Sequence, residues 1–358
     1  TTGDENYNKD IWAGRATFEM GGYGQPVLMR ITGDYTKDNS SARGGHRLIP
    51  GQLSGAPVLD DVFDTRGGLT DPKQYVESYG LSMNITAELS DAVTLRSISA
   101  WRKDDSASPI DFDALPAVDV DVPAFYFNEQ LSQEFQLLYD QGPLHGMVGF
   151  YYLDAKADTA FDVRLFTTVA GLTAYTQADV DTETYAVFGD FTFDITEQLS
   201  LSAGGRYTWD KRRADILRQN YLGGGSPLFG GAGMAFGAPS TNFNGEREYK
   251  KFTPRVSISY KPTPDHNIYA SFSQGFKGGG FDPRGVGTNA PDLNGDGIRQ
   301  DDEIASFLSF APEQVDSYEV GYKGNFLDGA LYVAVAGFYA DYKDVQIPGS
   351  VACTVSVG

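Results

Sequence analysis

The sequence holds a single cysteine, Cys353, among its 358 residues. No disulfide can close within it and no thiolate metal cluster can form. Cys353 itself reads as a small apolar residue near the end. Positive charge is also scarce: 28 Lys and Arg stand against 48 Asp and Glu, for a net charge of -20. That balance argues against nucleic acid as a partner, because phosphate binding needs a basic face. No run approaches 18 consecutive apolar residues, so no helix long enough to cross a bilayer is expected. A membrane barrel stays open, since its strands show lipid only every second side chain. The three histidines, His46, His145 and His266, share no metal spacing and read as solvated turn residues. No G-x-S-x-G, phosphate-cradle or H-E-x-x-H motif occurs, and no carboxylate pair sits in an apolar setting that would tune it for acid–base work. No enzyme is expected.

What the chain does have is aromatic side chains (13%), 42 glycines and a period of two. In the stretch from Phe252 to Gly285, Val256, Ile258 and Tyr260 alternate with Arg255, Ser257 and Ser259. Ile268, Ala270 and Phe272 then oppose Tyr269, Ser271 and Ser273, and the KPTPDH between the two runs forces a reversal. This predicts an antiparallel hairpin with one apolar and one polar face. The same alternation predicts strands near Trp12–Met20, Gln25–Tyr35, Tyr75–Glu88, Val93–Arg102, Asn128–Tyr139, His145–Ala155, Thr182–Phe193, Leu199–Asp210, Val315–Phe326 and Ala330–Lys343. Connections of roughly 3–6 residues trade places with connections of roughly 20–40. Structureless loops that long are uncommon in compact soluble domains but expected of an outer-membrane barrel. Charged residues on the polar face suit a wet or plugged lumen better than the dry centre of a sandwich. Trp12, Trp101, Trp209, Tyr207 and Tyr260 fall toward strand ends, as interface girdles do. The fold class is therefore all-β: a transmembrane antiparallel up-and-down barrel with short periplasmic turns and long extracellular loops.

Two segments resemble a known family. Tyr269, Ser271, Ser273, Gly275, Phe276 and Lys277 lead into the glycines Gly278–Gly280. Glu313, Ser317, Tyr318, Glu319, Gly321, Lys323 and Phe326–Gly329 follow, then Phe338, Tyr339, Asp341, Tyr342, Asp344 and Gln346. This pattern, specific over about 80 residues, resembles the second half of TonB-dependent outer-membrane receptors. The resemblance implies a 22-stranded barrel around an amino-terminal plug, in the outer membrane of a Gram-negative cell. It further implies uptake of a ferric siderophore, cobalamin or an oligosaccharide with energy delivered by the TonB complex through the plug. Residues 1–358 read as part of the barrel domain, about twelve of the 22 strands, with no plug, TonB-contacting box or closing strands visible. Two rival readings are a passive diffusion porin and a secreted calcium-binding adhesion protein. Among the motif residues, Asp328-Gly329 is expected to form a tight turn. Gly278–Gly280 are expected to let the chain bend at the rim, and Glu319 and Lys323 to line the lumen.

One constellation stands apart. DLNGDGIRQDDE, from Asp292 to Glu303, fits the spacing D-x-[DN]-x-[DN]-G-x5-E. A hard Ca2+ ion needs six to eight oxygens, and Asp292, Asn294 and Asp296 at alternate positions could converge on one point. Gly297 permits the sharp turn, the carbonyl of Ile298 adds an oxygen, and Glu303 closes the shell. Arg299 is expected to point away, with water bridging at Gln300. The competing reading is an acidic, turn-forming surface loop.

Overall fold

The computed structural model describes residues 8–347 apart from positions 23, 52, 53, 70, 168 and 170. Cys353 and the closing SVACTVSVG therefore lie outside the described residues. Twelve strands form one antiparallel sheet in which each pairs with its neighbours in sequence. They are β1 (Ile11–Gly21), β2 (Val27–Asp38), β3 (Tyr75–Ser90), β4 (Val93–Asp111), β5 (Asp121–Gln141), β6 (Leu144–Arg164), β7 (Thr173–Asp194), β8 (Leu199–Leu222), β9 (Met234–Thr263) and β10 (His266–Lys277), followed by β13 (Glu313–Phe326) and β14 (Leu331–Lys343). A short ribbon of β11 (Gly280–Phe281) and β12 (Ser309–Phe310) lies between β10 and β13, with helix α1 (Asp301–Leu308) just before β12. Turns as short as Asp91–Ala92 and Asp265 with its neighbour Pro264 mark one rim. The longer connections all leave from the other.

The sheet has two chemically distinct faces, and β8 shows both. Leu199, Leu201, Ala203, Tyr207 and Trp209 alternate onto one of them. In register, Leu201 lies between Phe193 and Ile258, and Tyr207 between Val187 and Phe252. Val187, Leu201, Phe252, Val256 and Ile258 are all exposed, the reverse of a soluble fold, where so large an apolar surface is not left bare. Eleven residues at about 3.3 Å each, tilted by about 40°, cover a height of about 25 Å, the apolar band of a membrane barrel. Just past that band the same face turns charged: Lys211 and Arg213 follow Trp209, and Glu183 follows Tyr185. Lys211 pairs across to Glu246 at 2.9 Å. The aromatic residues Tyr79, Trp101, Tyr152, Tyr185 and Trp209 mark the boundary, with Tyr79 5.6 Å from Trp101 and Tyr152 5.0 Å from Tyr185.

Trp101 and Trp209 thus sit at mid-strand, because the strands run on beyond the lipid. β4 reaches Asp111 instead of Arg102, β5 starts at Asp121 instead of Asn128, and β8 continues to Leu222. Three of the five expected long loops contract to 112–120, 165–172 and 223–233, while 39–74 and 278–312 remain long. The physical reason is solvent. Above the band the outer face leaves lipid and turns charged, so pairing continues while the hydrophobic alternation that reveals it stops.

At membrane depth the opposite face is polar. Arg102 donates to both carboxylate oxygens of Asp34 at 2.8 Å and to Ser78. Thr184 donates to Asp210, and Arg255 pairs with Asp190 at 3.0 Å. Arg206 lies over the rings of Tyr151 and Phe188. We expect Val256→Arg, at mid-band on the apolar face, to destabilise the barrel in lipid by about 2–4 kcal/mol. Ser257→Arg, one residue on and facing the polar side, is expected to change stability far less. Denaturant unfolding of both variants in bilayers checks the contrast; equal losses would refute the assignment of faces.

Candidate functional site at the loop-bearing rim

The long connection 278–312 does not hang free. It folds back onto the polar face of β7–β9 above the membrane band, where that face carries an apolar patch. Phe281, Ala290, Ile304, Ala305 and Leu308 pack against Ala178, Ala214, Ile216 and Phe243, and all of these are buried. Phe281 and Phe243 rings lie 5.3 Å apart. Thr241 fixes the loop further: its hydroxyl accepts from Gly287 N–H at 2.7 Å and donates to the carbonyl of Gly285 at 3.1 Å. Arg218 donates to the carbonyl of Arg284, and burial pushes the Arg218 guanidinium below its usual value. Burial pushes the Asp282 carboxyl up, but hydrogen bonds and charge from Arg284 outweigh that and leave it below the ordinary range.

The residues of the sequence motif hold the base of this loop. Gln346 donates from its side chain to the carbonyls of Gly278 (3.1 Å) and Ala311 (2.9 Å), while its N–H donates to Glu313 (3.0 Å). Both limbs of the loop are thereby tied to the chain after β14. Tyr269 donates to Glu319 at 2.6 Å and Lys323 lies over its ring. Gly321, paired opposite Tyr269, leaves the space that ring fills, since a Cβ there would be 2.4 Å from it. Glu319 and Lys323 thus engage the neighbouring strand, as expected. The glycine run acts by closeness and not by unusual backbone angles, as none of its three members has positive φ. A Cβ on Gly278 would lie 2.2 Å from Asp210, and one on Gly279 2.3 Å from the carbonyl of Phe310. The turn after β13 extends the expected Asp328-Gly329 pair, with positive φ at Leu327, Asp328 and Gly329 alike.

Asp292, Asn294, Asp296, Ile298 and Glu303 lie together in the outer part of the loop, but their polar groups are turned onto the backbone. Asp292 accepts from Gly295 and Gly297 N–H, at 2.7 and 2.8 Å, and Asp296 accepts from Ile298 N–H at 2.8 Å. Those amide bonds hold both carboxyls below their ordinary range. Asn294 donates to Asp296. Gly297, with φ of 81°, makes the turn. Glu303 is buried and reaches back to Leu293 N–H and Gln300 N–H, closing a capping box on α1. Arg299 does not point away: it lies 3.3 Å from Asp292. Gln300 meets Asp296 directly at 3.0 Å.

A second acidic group escaped the sequence reading. Asp111, Asp113 and Asp121, at the tips of β4 and β5, each bring one carboxylate oxygen within 4.8 Å of the others. They are the one set of three potential metal ligands among His, Cys, Asp and Glu that does so among the described residues. The signal was present as D-F-D and D-V-D, eight residues apart between apolar neighbours, but it lay in a segment taken for loop. Along the polar face nearby runs a groove of about 320 Å³ bordered by Arg102, Asp104, Asn128, Gln130 and Thr182.

Comparison with known proteins accords with this architecture. A family model described as TonB dependent receptor-like, beta-barrel, matches residues 21–357. The chain belongs to this family, whose members are outer-membrane transport receptors of Gram-negative cells rather than enzymes. It is similar to the metal-pseudopaline receptor CntO of Pseudomonas aeruginosa, 31% identical over 94 residues, which is 26% of this chain and 10% of CntO. In fold it resembles the ferric yersiniabactin uptake receptor FyuA of Yersinia pestis, with a TM-score of 0.68, 18% identity, and 96% of this chain aligned to 47% of that one. It also resembles the open form of the ferric-catecholate import receptor Fiu of E. coli K12, with a TM-score of 0.57, 14% identity, and 94% of this chain aligned to 52% of that one. The chain spans about half the length of these solved receptors.

The seating of the loop is testable. Gly279→Ala is expected to loosen it by about 1–3 kcal/mol through overpacking, and Leu308→Ala by about 2–5 kcal/mol through a cavity. Protease cleavage within 278–312 should accelerate in both while the barrel persists. Gly337→Ala, where a Cβ would meet nothing within 4 Å, is the control expected to be neutral.

Proposed function

We propose that this chain forms part of the wall and outer mouth of an active uptake receptor. Its ligand is a scarce nutrient, in the first place a ferric siderophore or similar metal chelate, and the driving energy comes from the TonB complex acting on a plug. The observation that carries the reading is a folded loop, 278–312, seated on the polar face of the wall and tied at its base by the motif residues Gln346 and Glu313. A passive pore has no need of a mouth packed so firmly. The charged polar face gives a chelate, rich in oxygen donors, hydrogen-bonding partners all along its path. The names of CntO, FyuA and Fiu, each a receptor for a metal chelate or a catecholate, point the same way.

The test is uptake by cells expressing the intact gene product under metal starvation. Accumulation of a radiolabelled ferric chelate should be saturable and should vanish when TonB is deleted. Entry that persists without TonB and rises linearly with concentration would favour a diffusion porin.

We also infer that Ca2+ pins the segment from Asp292 to Glu303. The spacing of Asp292, Asn294, Asp296, the Ile298 carbonyl and Glu303 supports this, as does the turn at Gly297; the ion would have to displace Arg299 from Asp292. Millimolar Ca2+ should slow protease cleavage between residues 290 and 303 in the intact receptor, and Asp296→Asn should abolish that protection. Identical cleavage with and without Ca2+ would leave the acidic surface loop as the correct description.

A further inference from the structure

The tips of β4 and β5 carry an arrangement that the uptake reading does not use. Asp121 is 2% exposed, and its Oδ1 is buried with no hydrogen-bond partner. Opposite it stand two carboxylates whose positions are fixed by main-chain amides. Asp113 accepts from Leu115 at 2.8 Å on one oxygen, and from Asp119 (2.7 Å) and Val120 (2.6 Å) on the other. Asp111 accepts from Ala114 at 2.6 Å and from Gly68 at 2.8 Å. Asp119, also buried, leaves its own Oδ1 without a partner. Four carboxyl groups therefore crowd one small volume at the end of the barrel wall.

Among the described residues no Lys or Arg forms an ion pair with Asp111, Asp113 or Asp121, although Arg66, next to Gly67 beside Asp111, has its Nε buried without a hydrogen-bond partner. Arg164 is paired in register opposite Asp121, but its Nε is turned toward Asp162, 3.4 Å away. Arg47 donates to the main-chain carbonyl of Asp113 at 2.7 Å and not to a carboxylate. An unpaired buried carboxylate is among the costliest arrangements in a protein unless a cation or a proton joins it. Burial, followed by the charges of Asp111 and Asp113, pushes the Asp121 carboxyl up to about 7, against a weaker downward pull from Arg164.

We propose that Asp111, Asp113 and Asp121 bind a hard divalent cation, Ca2+ in the first instance, at the loop-bearing rim. All the side-chain donors are oxygen, which selects Ca2+ or Mg2+ over softer metals, and ligands already fixed by the backbone favour the larger ion, whose shell is more adaptable. The oxygen of Asp113 shared by Asp119 and Val120 is filled, but its other oxygen and both oxygens of Asp111 accept one amide each and keep a free lone pair, so the backbone bonds aim these ligands without using them up. The ion acts as a staple. Asp111 already accepts from Gly68, and Arg47 already reaches Asp113, so fixing these carboxylates fixes the 39–74 loop onto the wall. This site is independent of the Asp292–Glu303 segment and of the identity of the transported nutrient.

The experiment is calorimetric Ca2+ titration of the intact, detergent-solubilised receptor, alongside Asp121→Asn and Asp121→Glu. Resistance of each barrel to heat in detergent verifies folding. A dissociation constant of about 10⁻⁴–10⁻³ M, the range of extracellular sites, is expected for the wild type. Asp121→Asn should weaken that site at least tenfold, and Asp121→Glu, which keeps the charge, should retain most of it. Cleavage within 39–74 should slow with Ca2+ in the wild type and not in Asp121→Asn. Superimposable titrations of wild type and Asp121→Asn, or cleavage of 39–74 indifferent to Ca2+, would overturn the proposal. Binding lost only in Asp296→Asn would assign the ion to the Asp292–Glu303 segment instead.

Discussion

A backbone crossing hydrocarbon has no water to bond with, so each of its N–H and C=O groups must find a partner within the protein. The ladder from β1 to β14 meets that requirement strand by strand, every pair antiparallel, with register shifts confined to strand ends such as Glu88–Ser90 and to Arg218–Asn220 above the band. Once the backbone is satisfied this way, side chains have no choice but to alternate between two surroundings. One face meets lipid and holds Leu201, Val187 and Val256; the other meets a watery interior and holds Arg102, Asp190 and Arg255. Among the described residues, β1 and β14 keep one unpaired edge each, and such edges persist in a bilayer only when further strands complete the ring.

The same ladder continues above the lipid under different rules. There the outer side meets water instead of lipid, and hydrophobic packing reappears in an unexpected place, on the interior face. Ala178, Ala214, Ile216 and Phe243 form a small apolar shelf on which α1 and Phe281 rest. The polar face of a barrel is therefore not uniformly polar. At membrane depth it is built from ion pairs and hydroxyls, and at the rim it is a docking surface for the chain's own loop. The glycine run and Gln346 make the fit close enough to hold two distant limbs together.

Carboxylates serve the backbone before they serve any ligand in this protein. In the Asp292–Glu303 segment and at the β4–β5 tip alike, they accept N–H groups that the local turns leave over. Solvent separates the two cases. The carboxyls of Asp292 and Asp296 are drawn downward by amides and by Arg299. Asp121 is enclosed, faces like charges, and has a buried oxygen without a hydrogen-bond partner.

Much of this was legible in the residues alone. The alternation of Val256, Ile258 and Tyr260 with Arg255, Ser257 and Ser259 determined strands, their faces and their antiparallel pairing, because two solvents on two faces write a period of two directly into composition. The short turns, including Asp328-Gly329, were legible for a similar reason, since turn geometry restricts residue type locally. Strand length above the lipid was not legible: from Lys211 to Leu222 the outward face no longer meets lipid, and the inward Ala214 and Ile216 are covered by a loop from far along the chain, so local alternation loses its meaning. Nor could the chain order reveal that Asp121 would be sealed against Asp111 and Asp113, or that Ile304 and Leu308 would meet Ile216 and Phe243. Those contacts join segments far apart in sequence, and burial, unlike alternation, is decided only when the whole sheet has brought them together.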